Sequence, residues 1–91
     1  MKPVLRSRSY LDDLEDIERY IAKNNPGAGA DLWLRIDEQV DKLADPNFPR
    51  RRGRVQGTFE LIAHKNYIVI FHEDAAAITA LSVIHARRRY P

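Results

Sequence analysis

The sequence predicts an α+β fold in which a two-helix hairpin packs on one face of a mostly antiparallel sheet, in the order β-α-α-β-β-β. Two observations carry this prediction. The first half of the chain has apolar residues at helical spacing, whereas the second half has apolar and β-branched runs separated by short turns. Because two such helices cannot bury their stripes against each other alone and the strands need a cover, we expect the two halves to pack together.

The size and composition indicate one small core. The 91-residue chain is 44% hydrophobic and 31% charged and contains no cysteine. A chain of this length buries only about 60% of its unfolded surface, so we expect a single domain over residues 1–91. No apolar run approaches the roughly 20 residues that span a bilayer, and nothing indicates a disulfide framework or secretion. The expected location is therefore the cytoplasm.

The first helix is predicted from its start signal and its apolar stripe. Val4–Arg8 favours an extended segment, and Ser9 followed by Asp12 fits a capping box. The apolar stripe comprises Leu11, Leu14, Ile17 and Ile21. Acidic residues crowd the first turns, where the helix dipole favours negative charge. Residues 24–26, Asn-Asn-Pro, end the helix.

The second helix follows directly. Asn25 can cap it with Pro26 at its first position, although two glycines weaken the first turn and place the regular part near Ala30. Its apolar stripe comprises Leu32, Trp33, Ile36, Val40 and Leu43, and we expect Trp33 in the core. Asp45-Pro46 ends the helix. So short a connection predicts an antiparallel hairpin.

The second half predicts three long strands after an arginine-rich loop. The loop covers residues 46–57 and includes a short extended piece at 54–56. The predicted strands are Thr58–His64, Tyr67–Glu73 and Ile78–His85. Lys65-Asn66 suits a two-residue hairpin turn. The middle strand is apolar on both faces, which is typical of a central strand covered on both sides.

The charge is divided along the chain. Residues 1–9 carry three bases, residues 10–45 carry ten acids and four bases, and residues 46–91 carry eight bases and three acids, which gives the net charge of +2. We expect an acidic helix layer opposite a basic sheet, loop and tail. The two basic clusters are Arg50, Arg51, Arg52 and Arg54, and Arg87, Arg88 and Arg89. They predict a surface for carboxylates or phosphates, the alternative being a solvated loop and tail.

Three segments resemble ParE toxins of the RelE/ParE superfamily: DLEDIERYIAKNNPGAG, GRVQGTFELIAHKNYIVIFHED and ITALSVIHARRRYP. The likeness covers nearly the whole chain, and its most specific pieces are Gly57-x-x-Glu60-Leu61 and the ending His85-x-Arg87-Arg88-x-Tyr90-Pro91. The resemblance implies a bacterial type II toxin, with two helices on an antiparallel sheet. It further implies inhibition of DNA gyrase and growth arrest. It also implies neutralisation by a ParD-like antitoxin, through which operator DNA is bound.

An mRNA endoribonuclease of the ribosome-dependent RelE type is the alternative that the resemblance leaves open. In that case the acid–base groups would be Glu60, His85 and Tyr90. In the structural interpretation, His85 forms a hydrogen bond to the backbone and Tyr90 packs on an apolar surface. RelE-like nucleases carry lysines and arginines on their strands, whereas residues 58–85 contain one lysine, in a turn, and no arginine. This difference favours a toxin that is not an enzyme. The family also usually has an arginine before the strand glutamate, where this chain has Phe59.

Two further residues have open interpretations. Glu60 is either a buried partner for an arginine such as Arg54 or Arg87, or part of a half-exposed polar strand face. Leu34 lies about 100° around the helix from Trp33 and is either an isolated exposed leucine or the contact for an antitoxin helix. No cofactor or metal motif is present in the sequence.

Overall fold

The computed structural model describes residues 2–87, in which two helices pack on a five-stranded mixed sheet. The elements are β1 (Val4–Arg6), α1 (Arg8–Ala22), α2 (Pro26–Asp41), a 3₁₀ turn (Lys42–Ala44), β2 (Arg51–Arg52), β3 (Thr58–His64), β4 (Tyr67–Glu73) and β5 (Ile78–His85). α1 packs against α2 and β5, and α2 packs against α1 and β3. The predicted α+β class, with a helical hairpin on one face of the sheet, is confirmed.

The strand order is β1-β5-β4-β3-β2. The central position of β4 confirms the interpretation of its apolar run. β3, β4 and β5 form antiparallel pairs, and their bounds are those predicted from the sequence. β1 instead runs parallel to β5, which makes the sheet mixed.

The start of α1 differs from the prediction. The N-cap is Ser7, whose Oγ accepts a hydrogen bond from the Tyr10 amide, so the predicted capping box at Ser9 is wrong and β1 ends before Arg8. The same Oγ donates to the Leu81 carbonyl, and the Ser7 amide donates to the Ala80 carbonyl. These bonds to β5 fix the turn between β1 and α1, and only the tertiary fold provides them.

The start of α2 also differs. Asn25 caps the helix as predicted, but the helix begins at Pro26 and not near Ala30. A Cβ on Gly29 would lie 2.6 Å from the carbonyl oxygen of Glu18 in α1. The glycine therefore allows the two helices to approach closely, and that packing stabilises a first turn with weak helix propensity.

The short strand in the arginine-rich loop lies at residues 51–52, not at the predicted 54–56. Arg51 pairs with Glu60 and Arg52 pairs with Phe59. The following residues form the turn into β3, which contains Gly57 at φ +85°. This backbone conformation is unfavourable for residues with a Cβ.

The main core lies between the helices and one face of the sheet. It consists of Tyr10, Leu14, Leu32, Ile36, Val40, Leu43, Leu61, Val69, Phe71, Ile78, Ala80 and Val83. Phe59 and Phe71 stack within this layer, with ring centroids 5.6 Å apart. Trp33 packs against this core but is only half buried. Ile68 and Ile70 of β4, which alternate with the core residues Val69 and Phe71, are also buried, so the side chains of this central strand are buried on both of its faces.

A polar network joins β1 to both helices. Arg6 Nε lies 2.7 Å from Asp37 Oδ1, and Arg6 Nη2 lies 2.6 Å from Asp41 Oδ1. The Tyr10 hydroxyl donates to the same Asp37 oxygen over 2.9 Å. Burial and this hydrogen bond raise the pKa of Tyr10, so the hydroxyl remains a donor throughout the ordinary pH range. The network satisfies the polar groups beside the core.

The outer edge of β5 is partly covered by α1. Beyond the residues that pair with β1, the Val83 amide donates to Asp13 Oδ2 over 2.9 Å. A side chain of α1 thereby satisfies a backbone group that would otherwise lie at an open sheet edge.

Removing parts of the Arg6 network should destabilise the protein in a definite order. We expect Tyr10→Phe to cost about 1 kcal/mol of unfolding free energy, because Asp37 keeps its arginine. Arg6→Ala should cost about 2–3 kcal/mol, because two carboxylates lose their cation at a half-buried site. Urea unfolding followed by circular dichroism measures both values.

The matched control is Arg8→Ala, since the Arg8 side chain is 88% exposed and its ion-pair partner among residues 2–87 is Asp12 of its own helix. Ion pairs on the surface contribute little to the free energy of unfolding, so the stability of this variant should stay close to that of the wild type. An equal loss for Arg6→Ala and Arg8→Ala would contradict a structural role for the network.

Candidate interaction surface

Arg50 supports the fold and is not part of the exposed basic surface. Its side chain is only 13% exposed, and Nη1 lies 2.8 Å from Glu73 Oε1. The remaining donors reach the backbone carbonyls of Leu43, Asp45 and Phe48. Within the fold, this guanidinium anchors the loop to the 3₁₀ turn after α2 and to β4, so Arg50 is less available to a partner than the exposed arginines of the same cluster.

Glu73 receives a second cation from the N-terminal segment. Lys2 Nζ lies 3.1 Å from Glu73 Oε2. Burial alone would raise the pKa of Glu73, but the hydrogen bonds from Lys2 and Arg50 and their positive charges outweigh it and lower this pKa. The carboxylate stays ionised and holds three separate segments together.

Glu60 is buried and paired with an arginine, as one of the two interpretations expected, but the arginine is Arg51. Arg51 Nε lies 2.7 Å from Glu60 Oε1, and the side chains are 56% and 5% exposed respectively. The two residues are direct cross-strand partners of β2 and β3. Sequence reasoning considered Arg54 and Arg87 because it did not place a strand at residues 51–52.

A groove runs beside this pair, between the loop, α2 and the edge of β3. Its volume is about 420 Å³, and it is lined by Gln39, Phe48, Pro49, Arg50, Arg51, Glu60, Leu61 and Ile62. Among residues 2–87, no strand pairs with the outer edge of β3 beyond Glu60. The groove therefore joins an exposed guanidinium, an apolar wall and an open strand edge.

The described members of the two arginine clusters lie toward opposite ends of the strands. Arg52 and Arg54 are exposed near the beginning of β3. Arg87 is exposed just past the end of β5, whose last residue pairs with the first residue of β4. Arg88, Arg89 and Tyr90 lie outside the described residues.

The structure does not bring together Glu60 and His85, the two described members of the nuclease alternative. Glu60 is in register with Ile70 and Ser82, whereas His85 is three residues further along β5, roughly 10 Å along the strand. The His85 ring packs edge-on against Tyr67, and its Nδ1 accepts a hydrogen bond from the Arg87 amide. This histidine bonds backbone, as the structural interpretation expected, and Glu60 is engaged by Arg51.

The exposed face of α2 presents an apolar residue. Leu34 is 61% exposed, and the acidic side chain of Glu38, one turn further along the helix, is also exposed. This geometry is compatible with both sequence interpretations of Leu34.

Neither a metal centre nor a membrane-spanning helix is found in the part of the chain that the structure describes. Over residues 2–87, no three His, Asp or Glu side chains are grouped so that they could hold a metal ion. Over the same residues, no helix combines the length and apolar character needed to cross a membrane.

The chain is similar in sequence to known toxin proteins. Residues 4–90 match the family model described as "ParE toxin of type II toxin-antitoxin system, parDE". The chain is 33% identical over 81 residues to a Sinorhizobium fredii protein named "Putative toxin Y4kP", covering 89% of this chain and 84% of that protein.

Two solved structures are similar in fold. A chain of the chromosomal ParDE TA system from P. aeruginosa has a TM-score of 0.85 at 20% identity, covering 93% of this chain and 96% of that one. A chain of the YoeB dimer from Staphylococcus aureus has a TM-score of 0.57 at 13% identity, covering 98% of each chain. At these identities, the similarity shows a shared fold.

The Arg51–Glu60 pair gives a test of the groove. Arg51→Ala leaves a buried carboxylate without its cation, and we expect it to cost about 2 kcal/mol of unfolding free energy. Arg52→Ala, one residue away and also exposed, should cost less than about 0.5 kcal/mol. Urea unfolding measures the difference, and a double-mutant cycle with Glu60→Gln isolates the coupling between the pair. Equal losses for the two alanine variants would show that the pair does not stabilise β2 on β3.

Proposed function

This chain belongs to the ParE toxin family of type II toxin–antitoxin systems, and we propose that it arrests growth by binding DNA gyrase. The observation that carries the proposal is the match to the ParE toxin family over residues 4–90. The gyrase target comes from the resemblance to ParE toxins. The cytoplasm, where gyrase acts, is the proposed location.

The proposed mechanism is inhibition by binding, without catalysis. RNA cleavage needs an acid, a base and cationic phosphate contacts held within reach of one another. In this chain Glu60 is buried and paired with Arg51, and His85 lies well beyond it along the sheet. The three long strands carry no arginine or lysine, since Lys65 lies in the turn between β3 and β4. These features support a binding toxin over a RelE-type endoribonuclease.

The proposed contact with the target uses the exposed arginines. Guanidinium groups bind carboxylates and phosphates through paired hydrogen bonds, which suits an acidic protein surface or a protein–DNA complex. Arg50 is excluded because its donors are used within the fold. The proposed set is Arg51, Arg52, Arg54, Arg87, Arg88, Arg89 and Tyr90.

The proposed antitoxin is ParD-like and contacts the helix layer. An amphipathic helix could place an apolar side chain against Leu34 and basic side chains near the acidic residues of α2. Such an antitoxin would cover the exposed face of α2, whereas Arg52 and Arg54 are exposed near the beginning of β3. Operator DNA would then be bound by the antitoxin and not by this chain.

A gyrase supercoiling assay tests the target and the tail together. We expect the purified chain to abolish supercoiling of relaxed plasmid, and the Arg87→Ala/Arg88→Ala/Arg89→Ala variant to need at least about tenfold more protein, because three charge-assisted contacts are lost. Growth arrest on induction should weaken in the same variant.

The matched control removes the same charge from the helix layer. In Arg8→Ala/Arg19→Ala/Lys23→Ala, three exposed cations of α1 and its C-terminus are replaced, and inhibition should remain. Full inhibition by the tail variant would exclude the tail as the contact. Intact supercoiling together with codon-specific cleavage of translated mRNA would replace the proposal with the RelE-type alternative.

Antitoxin binding has a separate test. In co-purification with the antitoxin encoded beside this chain, Leu34→Glu should weaken the complex at least about tenfold, because a carboxylate replaces an apolar contact beside existing acids. Isothermal titration calorimetry measures the affinity. Leu5→Glu is the control, since Leu5 is 51% exposed on β1 and its side chain alternates with that of Arg6, which faces α2. Equal affinity of the Leu34 variant and wild type would place the antitoxin elsewhere.

A further inference from the structure

Two histidines flank one tyrosine at the end of the sheet where the chain leaves β5. His64 of β3 and His85 of β5 are both cross-strand partners of Tyr67 in β4. The ring centroids of His64 and His85 lie 6.0 Å and 5.3 Å from that of Tyr67. The three rings therefore form one aromatic cluster directly before the arginine-rich C-terminal segment.

Each histidine accepts a hydrogen bond from the backbone two residues further on. The Asn66 amide donates to His64 Nδ1 over 3.1 Å, and the Arg87 amide donates to His85 Nδ1 over 3.1 Å. A ring nitrogen accepts only when it carries no proton, so both bonds require the neutral imidazole with its hydrogen on Nε2.

A third hydrogen bond joins the two turns. The Ala86 amide donates to the Asn66 carbonyl over 2.7 Å. The hairpin turn after β3 and the first residues after β5 are thereby parts of one hydrogen-bonded unit. Loss of either histidine acceptor removes a bond that orients this unit.

We propose that His64 and His85 form a proton-sensitive clasp that fixes the path of the chain as it leaves β5. The clasp is closed when both imidazoles are neutral. Protonation adds a hydrogen to each Nδ1, so that two N–H donors face each other and the hydrogen bond is lost. Residues 86–87 are then free to move. At acidic pH, the residues 86–87 that precede the C-terminal arginines would therefore be less ordered.

The charges around the clasp oppose protonation of His64. Burial is the main cause that lowers the pKa of His64 below 6.5, and the charges of Arg35 and Lys65 lower it further. Asp31 and Glu38 of α2 are the acidic residues that line the neighbouring grooves together with His64. Because the folded state binds the proton more weakly than the unfolded chain, the stability from this contact is complete above the ordinary histidine range and is lost as pH falls through the lowered pKa.

Among the described residues, the titratable or charged groups near Tyr67 and His85 are two tyrosines and one arginine. Tyr67 faces both histidines from β4, and Tyr20 of α1 lies near Tyr67. Arg87 is the charged residue next to His85 along the chain and supplies the amide that His85 accepts.

The remaining histidine supplies an internal comparison. His72 Nδ1 lies 3.1 Å from the Gly57 carbonyl oxygen, and Nε2 lies 3.5 Å from Asp74 Oδ2. Both partners are acceptors, so a protonated His72 retains both contacts. His72 therefore makes no contact of the kind that the clasp uses.

Amide hydrogen exchange of the full chain, measured by NMR, tests the proposal. We expect the protection factors of Ala86 and Arg87, corrected for intrinsic exchange, to fall about tenfold between about pH 7.5 and about pH 5.5, while that of Val69 in the core stays constant. The asparagine variant His64→Asn/His85→Asn keeps an acceptor oxygen that does not titrate. Its protection at Ala86 and Arg87 should be independent of pH.

His72→Asn is the matched control and should retain the wild-type pH dependence. The proposal is overturned if wild-type protection at Ala86 and Arg87 is the same at both pH values, or if the double asparagine variant still loses protection in acid. Loss of the pH dependence in His72→Asn would assign it to that histidine and also overturn the proposal. Because the assay contains neither gyrase nor antitoxin, its outcome is independent of the proposed function.

Discussion

The carboxylate of Asp37 is the contact on which the arrangement of the layers depends. It accepts hydrogen bonds from Arg6 in β1 and from Tyr10 in α1, while its own backbone belongs to α2. β1 has only three residues and pairs with only part of β5, so its backbone bonds alone are a weak attachment. The network fixes both helices relative to the edge of the sheet, and the core between them is thereby closed.

The arginines of this protein divide between structural and exposed roles. Arg6 and Arg50 are largely buried and each binds carboxylates from other segments, whereas Arg52, Arg54 and Arg87 are exposed. Arg51 is intermediate, because its stem lies beside the groove and its guanidinium pairs with buried Glu60. A basic cluster in a sequence therefore overstates the charge that is available to a partner, since charges that stabilise the loop are already neutralised locally.

The two ends of the sheet have different chemistry. At the end near β2, arginines and a groove adjoin an open strand edge. At the other end, His64 and His85 accept hydrogen bonds from backbone amides and pack against Tyr67, just before the C-terminal arginines in the sequence. The helix layer and the groove are therefore chemically distinct regions of this ParE-family chain, the first acidic and the second formed by an arginine, apolar side chains and a strand edge.

The sequence by itself determined the long elements, because the spacing of apolar residues reports burial and the turn residues report chain reversal. The bounds of β3, β4 and β5 and the cap at Asn25 follow from these local patterns. The sequence also indicated that Glu60 could be a buried arginine partner and that Leu34 is exposed. Only the tertiary structure decided the cap at Ser7, the parallel pairing of β1, the start of α2 and the partner of Glu60. Each of these depends on contacts between residues distant in the chain, such as Ser7 with β5 and Gly29 with α1, and local patterns carry no record of such contacts.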